Sequence, residues 1–199
     1  MWNFLKKWWW IIAVLAGGIA WWVGVVNTIK NYDIAVDGAL ANVQVQYQRR
    51  ADLIPNLVKT VQAVADQEQT VFTEVTELRT KASSINVSVD DLESLGEFAA
   101  AQSELSQWLW RLLAVAEWYP ELKSNENFLD LQKQLEGTEN RIAVAINNFN
   151  GAVGAYERYR INIPEKFVIN RFTEYESRKD AFFQADADAQ DVPDVDFDI

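Results

Sequence analysis

The sequence contains no cysteine and no histidine, and its 199 residues include only four prolines and eight glycines. Without cysteine and histidine the chain cannot form disulfides, thiolate zinc sites, Ser-His or Cys-His catalytic pairs, or imidazole metal ligands. Because few helix breakers accompany 49% hydrophobic residues, we predict an all-α fold of long helices. The net charge of −11 argues against nucleic acid as a partner.

Tryptophan is abundant, and five of the nine lie between residues 8 and 22. Residues 8–26 contain no charged side chain. As a helix this run would be about 28 Å long, close to the roughly 30 Å of a bilayer's hydrocarbon core. The five indoles form two groups at its ends, as in an aromatic belt, and they are Trp8, Trp9, Trp10, Trp21 and Trp22.

A cleaved signal peptide is the alternative interpretation of this run. Signal peptides have an apolar core of about 7–15 residues that ends in small residues. This run is longer and bulkier, and no A-x-A site follows it. We therefore predict that residues 1–29 are an uncleaved, single-pass membrane anchor. Lys6 and Lys7 precede the run and Lys30 follows it, which favours a cytoplasmic N-terminus and a bundle outside.

The soluble part begins with a long apolar stripe. From Ile54 to Ala82 apolar residues, interrupted only by Glu68, recur at alternating spacings of three and four, which is typical of one face of a coiled-coil-like helix. Pro55 interrupts the pattern because proline lacks the amide that would bond to Ala51. The first helix is then either continuous with the anchor and kinked, or a new helix capped by Asp52 with Pro55 in its first turn.

Three further helices are expected after this stripe. Ser88 is predicted to cap a second helix that runs to about Trp118, and a third is predicted to run to about Ile161. Pro164 is placed to begin a fourth. Three or four long amphipathic helices with short connections predict an antiparallel bundle over residues 30–183.

Three segments resemble the bacterial LemA family. They are RRADLIPNLV at residues 49–58, AVAEWYPELKSNENF at residues 114–128 and LEGTENRIAVA at residues 135–145. The resemblance covers about residues 30–183, and the three segments together are specific. It implies a helical bundle on a single-pass anchor in a bacterial cytoplasmic (inner) membrane, and for some relatives it implies a part in membrane organisation.

Polar and aromatic residues in these segments are candidates for bracing the bundle or for a partner-binding surface. They are Arg50, Asp52, Pro55, Asn56, Glu117, Tyr119, Pro120, Asn125, Asn127, Phe128, Glu139, Asn140 and Arg141. We expect Asn125 and Asn127 to satisfy free amides at the start of the third helix.

Charged members of this set are expected to pair across helices. Glu139 and Arg141 can reach groups such as Arg50 or Glu117 on neighbouring helices. A carboxylate-only metal site is conceivable around Glu136 and Glu139. A hydrolase that uses carboxylates alone would need two of them across a cleft, which a packed bundle rarely offers. The di-iron site of helical bundles needs histidine, however, and no short loop has calcium-ligand spacing. We therefore predict no metal, no cofactor and no catalytic residue.

Residues 184–199 form an acidic tail that is predicted to be disordered. From Asp186 onward it contains six Asp and no basic residue. Its end alternates apolar and acidic residues, which is a strand-like period. Val195, Phe197 and Ile199 could add as a strand to a partner's sheet edge.

These features predict a non-enzymatic scaffold anchored in the membrane. Its partners would be the lipid bilayer, further copies of itself in a homo-oligomer, and a membrane or periplasmic protein. Through them it would organise or remodel the membrane. The alternative function is a one-to-one adaptor for a membrane protease or another membrane enzyme.

Overall fold

The computed structural model describes residues 2–64 and 69–183, and every element within them is helical. The predicted all-α fold is therefore confirmed. The elements are α1 (Trp2–Gln62), α2 (Gln69–Ser84), α3 (Leu92–Glu117), α4 (Pro120–Lys123), α5 (Glu126–Ile161) and α6 (Glu165–Phe172), followed by a 3-10 turn (Lys179–Ala181). The division into domains at residues 29 and 183 stays a prediction.

Two long helices, α1 and α5, form the backbone of the bundle. They contain 61 and 36 residues, which corresponds to lengths of about 90 and 54 Å. The rings of Tyr32 and Tyr159 lie 5.3 Å apart, and Arg50 contacts Glu139. Since residue numbers rise along α1 as they fall along α5, the two helices are antiparallel.

The buried apolar residues form two cores along α1. The lower core, beside residues 8–24, contains Val25, Ile29, Val36, Leu40, Val43, Val87, Val89, Leu95, Phe98, Ala145, Phe149, Val153, Tyr156, Val168, Ile169 and Ala181. The upper core contains Ile54, Leu57, Val61, Phe72, Val75, Ala82, Ala101, Leu105, Trp108, Leu109, Leu112, Leu122, Phe128 and Leu135. Both cores combine residues from distant parts of the chain, so neither half of the bundle is a purely local structure.

Helix α1 continues through Pro55, which settles the choice between a kinked helix and a new one. Asp52 does not cap a helix, because its carboxylate accepts from Gln48 Nε2 at 2.8 Å in the middle of α1. Proline leaves the carbonyl of Ala51 without its usual donor. Arg79 Nε of α2 donates to that carbonyl at 2.9 Å, and this bond replaces the missing one.

The stripe from Ile54 to Ala82 belongs to two helices, not to one as its spacing predicts. Helix α1 ends at Gln62 and α2 begins at Gln69. Phe72 of α2 packs with Ile54 in the upper core, so α2 folds back along α1. The spacing is the same on both helices because each half of the stripe faces the other.

The predicted cap of the next helix was also wrong. Helix α3 begins at Leu92, and the carboxylate of Asp91 accepts from the amides of Glu93 and Ser94, both at 3.1 Å. Ser88 lies in the preceding turn, where its hydroxyl accepts from the amide of Asp90. Asp91 is the better cap because an ionised carboxylate accepts amide bonds more strongly than a hydroxyl. By contrast, α5 ends at Ile161, as predicted.

Candidate partner-binding surface and membrane span

Residues 8–24 of α1 extend away from the rest of the bundle. Apolar side chains are exposed along this segment, including the five indoles of the predicted belt, Trp8, Trp9, Trp10, Trp21 and Trp22. Its most apolar window has a mean hydropathy of 1.9 and is almost entirely unburied. Within the described residues, this one helix is long and apolar enough to cross a membrane. The helix enters the lower core at Val25.

Arg50 lies where the two cores meet and is 1% exposed. Its guanidinium donates to Glu139 at 3.0 Å, to the carbonyl of Gln102 at 3.0 Å, and to the side chains of Gln102 and Ser106. It also lies 4.9 Å from the ring centroid of Tyr47. Arg50 therefore joins α1, α3 and α5, and its bond to Glu139 is one of the pairs proposed from the sequence.

Arg141 and Asn140 do not extend this network. Arg141 donates to Thr138 Oγ1 at 3.3 Å, within its own helix, so the expected cross-helix pair is replaced by a local bond. Asn140 is exposed. The side chain of Glu117 lies outside the described residues.

The turn between α4 and α5 is held by Asn125. Its side-chain oxygen accepts from the amides of Asn127 and Phe128 at 3.0 and 3.2 Å, which confirms its expected capping role. Asn127 contributes its backbone amide rather than its side chain. Leu122 and Phe128 on either side of the cap are buried in the upper core. The turn is therefore capped and packed against the upper core on both sides.

The other predicted residues of this region surround the turn. Tyr119 packs partly buried against the upper core, and Pro120 begins α4. Asn56 and Asn127 line the same shallow cleft between α1 and α5. This cleft places the turn beside the end of α1 that lies farthest from residues 8–24. From Val25 to Asn56 the helix rises about 46 Å.

An open groove lies between α3 and α5 next to this turn, and we name it the tip groove. Its volume is about 420 Å³, and it is lined by Trp110, Leu113, Ala114, Lys123, Phe128, Leu129 and Gln132. A second hollow of about 240 Å³ shares Trp110, Leu113 and Gln132 and extends to Glu136 and Glu139. Trp110 is 64% exposed, and Trp118, at the end of α3, is 84% exposed.

Trp110 was not singled out from the sequence. A signal was present, because Trp108 and Trp110 are two positions apart and point about 200° apart around a helix. Trp108 is buried in the upper core. Its neighbour must therefore face away from that core.

A second arginine cluster, missed by sequence reasoning, ties the C-terminal segment to α1. Arg178 lies 2.9 Å from Asp33, 3.2 Å from Asp37 and 2.9 Å from Asp90. It also covers the ring of Tyr156 at 5.5 Å. Arg178 and Asp33 interact as opposite charges, because Asp33 Oδ1 makes no hydrogen bond of good geometry.

Burial and charge compete in this cluster. Burial raises the pKa of Asp33. The positive charge of Arg178 acts to lower this pKa, and the neighbouring carboxylates of Asp37 and Asp90 act to raise it. Burial lowers the pKa of Arg178, but the attraction of Asp33 and Asp90 outweighs it, so that pKa is raised. Burial also raises the pKa of Tyr156 to about 12. Its hydroxyl, which stays protonated at neutral pH, donates to the carbonyl of Glu176 at 2.7 Å.

Among the described residues, no group of three or more acidic side chains is arranged to hold a metal ion. Glu68 lies outside those residues. So does the predicted tail ligand, which comprises Val195, Phe197 and Ile199.

Comparison with known proteins supports a single family. The family model of LemA matches residues 39–197, well over half of the chain. Two curated proteins of Paramagnetospirillum magneticum (strain ATCC 700264 / AMB-1), Magnetosome protein MamQ 1 and Magnetosome protein MamQ 2, are each 28% identical over 149 residues. The alignments cover 65% of this chain and 55% of each relative, so the chain spans about half the length of those proteins.

The match to LemA extends beyond the described bundle into the acidic tail. Family membership, together with the exposed apolar segment of α1, indicates a membrane-associated helical protein. The three segments singled out from the sequence lie within the matched range. The chain belongs to the LemA family.

Proposed function

We propose that the protein is a non-enzymatic scaffold, anchored by residues 8–26, that self-associates and binds protein partners through the tip groove. The observation that carries this proposal is the exposed indole of Trp110 in the lining of a largely apolar groove, together with a second exposed indole, Trp118, just past the end of α3. Exposed apolar patches of this kind mark interaction sites, and tryptophan is over-represented among residues that dominate binding energy.

Anchoring makes contact between copies geometrically favourable. Every copy in one membrane would hold its groove at the same height, since the rigid α1 separates the turn from the span by about 46 Å. Confinement to a surface also raises the effective concentration of one groove near another. Contacts of this kind, repeated between copies, would organise or remodel the membrane.

Orientation belongs to the same proposal. Two lysines precede the apolar run and one follows it, so the N-terminus would lie in the cytoplasm and the bundle outside. Beyond residue 29 the chain carries all 29 acidic but only 16 of the 18 basic residues, a net charge of −13. Such a surface is repelled by anionic lipids as a whole, which keeps the bundle upright on its tether.

The test is the oligomeric state of the full chain in mild detergent, measured by analytical ultracentrifugation. We expect an oligomer, and we expect the double variant Trp110→Ala, Trp118→Ala to shift towards monomer. Val144 of α5 is exposed but outside the groove, so Val144→Ala is the matched control and should leave the oligomer intact. A strictly monomeric parent protein would refute self-association.

The alternative, a one-to-one adaptor for a membrane enzyme, uses the same groove for a different occupant. It is distinguished by crosslinking in intact membranes. The scaffold predicts crosslinks between copies that depend on Trp110 and Trp118. The adaptor predicts a monomer crosslinked to one other membrane protein, with the same dependence.

A further inference from the structure

The turn from α5 to α6, at the opposite end of the bundle from the tip groove, carries a second apolar surface. Ile163 is 88% exposed and Phe167 is 72% exposed, and Ile161 and Phe172 are exposed beside them. Large apolar side chains at this exposure lose stabilisation in water. We define the turn patch as Ile163, Lys166, Phe167 and Arg171, all exposed.

The position of the turn patch along α1 is set by buried contacts. Val168 and Ile169 of α6 pack in the lower core with Val25 and Ile29. Near the end of α5, Tyr159 hydrogen-bonds to Thr28 and its ring packs on Tyr32. Helix α6 is therefore held beside the last turn of the apolar run.

The position of α6 along α1 coincides with the end of the proposed membrane span. Trp21 and Trp22 lie one helical turn before Val25, a rise of about 6 Å. Indoles at the end of a span occupy the headgroup layer. Ile163 and Phe167 are thus placed on the water side of these indoles, at the depth of the headgroup layer.

The charge of this region is opposite to that of the rest of the soluble part. Residues 158–171 contain four basic side chains and one acidic one, a net charge of +3, against −13 for everything beyond residue 29. Arg160 pairs with Glu157, and Glu174 and Glu176 follow the segment, so within the described part of the chain the unpaired positive charge of the patch is that of Lys166 and Arg171 on α6. Glu157, just before this segment, is turned inward, where its carboxylate accepts from Ser177 and from the amide of Arg178. A face that combines aromatic or aliphatic side chains with lysine and arginine is typical of segments that lie in a bilayer interface.

On α6 the two faces are separated. Val168 and Ile169 face the lower core, while Lys166, Phe167 and Arg171 lie on the exposed side. The helix can therefore contact lipid with one face without giving up its packing on the other.

We propose that the turn patch inserts into the headgroup layer of the same membrane and forms a second attachment next to the span. This inference rests on the proposed anchor. A helical span alone leaves the bundle free to rotate about the axis of α1. A second contact beside the span fixes which face of the bundle is turned towards neighbouring copies. It therefore also fixes the direction in which the tip groove faces.

The absence of native cysteine makes a clean test possible. Single cysteines replace Ile163, Val14 and Val144 in the full chain, and each is spin-labelled in vesicles of phosphatidylcholine and phosphatidylglycerol. Collision with oxygen, which concentrates in lipid, is compared with collision with a water-soluble nickel chelate. We expect the label at position 163 to favour oxygen several-fold over the label at Val144, which is exposed higher on α5.

The label at Val14 separates the two hypotheses. If position 14 lies in lipid while position 163 is as accessible to the chelate as position 144, the second attachment is wrong and the anchor stands. If position 14 is also accessible to the chelate, the anchor fails and the second attachment fails with it.

A charge variant tests the lipid chemistry. Lys166→Glu should raise chelate access to a label at position 163 in vesicles containing phosphatidylglycerol. Lys133→Glu, an exposed lysine of α5 far from the patch, is the matched control and should not. An equal effect of both changes would contradict a local contact with anionic headgroups.

Discussion

Arg178 in the lower half of the bundle and Arg50 between the two cores are both largely buried, yet they are compensated differently. Arg178 meets three carboxylates, of which Asp37 and Asp90 are well exposed. Arg50 meets one carboxylate, Glu139, and otherwise neutral oxygens of Gln102 and Ser106. If Arg178 loses its partners, water can solvate part of its charge, because two of those partners are exposed. Water cannot reach the buried side chain of Arg50.

From this comparison we predict that the number of ion pairs around a buried arginine does not measure its contribution to the free energy of unfolding. A buried charged group that loses its partner costs several kcal/mol, whereas exposed pairs contribute little. Arg178, with three carboxylates, should therefore contribute less to the free energy of unfolding than Arg50. Four changes test this ranking and the role of the groups around each arginine.

The largest effect is expected from Arg50→Ala. It removes the guanidinium that joins α1 to α3 and α5 at this level, and it leaves the buried Gln102 Oε1 without this donor. The free energy of unfolding should fall by about 3–5 kcal/mol, because the change opens a cavity and removes several charge-assisted hydrogen bonds. It is measured by urea unfolding of the full chain in detergent, followed by circular dichroism.

Arg49→Ala is the matched control, because Arg49 is the exposed neighbour on the same helix. Its effect should stay within about 0.5 kcal/mol. A loss of less than about 1 kcal/mol for Arg50→Ala would remove the distinction between the two arginines.

Arg178→Ala should cost less, about 2 kcal/mol at neutral pH. It leaves the carboxylate of Asp33 half-buried without a cation, and this raises a pKa that burial has already raised. A raised carboxyl pKa means that the folded state favours the proton, so this group's contribution to stability is present below the unfolded pKa of 3.8 and is lost as the pH rises through the folded value.

The cost of Arg178→Ala should therefore shrink as the pH falls towards that of the unfolded carboxyl. The check is urea unfolding of parent and variant across the acid range. Lys179→Ala, an exposed neighbour, is the control. A cost that grows on acidification would contradict this assignment of the sign.

Arg79→Met should lower stability by about 1 kcal/mol, because it deprives the Ala51 carbonyl of its donor while keeping an apolar stem. Pro55→Ala restores an amide that can reach the same carbonyl. In that background the cost of Arg79→Met should largely vanish. Equal costs in both backgrounds in this double-mutant cycle would show that Arg79 acts elsewhere.

The smallest effect is expected from Tyr156→Phe, which removes the bond to the Glu176 carbonyl and should cost about 0.5–1 kcal/mol at neutral pH. The parent pKa of about 12 exceeds the unfolded value of 10.0, so the parent should lose stability as the pH rises from 10.0 to about 12. The variant should lose less over that range. Tyr119→Phe, in the other half, should keep the alkaline loss.

Much of the fold could be predicted because it follows from local patterns. The end of α5 at Ile161 and the cap at Asn125 were both predicted, since periodicity and capping chemistry operate within a few residues. The break between α1 and α2 was not predicted. Residues 63–68 contain neither glycine nor proline, and an apolar stripe looks the same whether it faces one partner or folds back on itself.

The candidate site divides in the same way. The Arg50–Glu139 pair was proposed because both residues lie in family-like segments. The Arg178 cluster was missed because its members are up to 145 residues apart. The tip groove was missed because no pattern in the sequence shows that α3 and α5 leave a gap.

The sequence by itself determined the helical class, the absence of histidine and cysteine chemistry, and an apolar segment long enough to cross a membrane. These depend on composition and on contacts within one or two helical turns. Only the tertiary structure decided that Pro55 remains inside α1, because the donor for Ala51 comes from another helix. It also decided that Trp108 is buried while Trp110 is exposed, since the direction of a side chain matters only once neighbouring helices are in place.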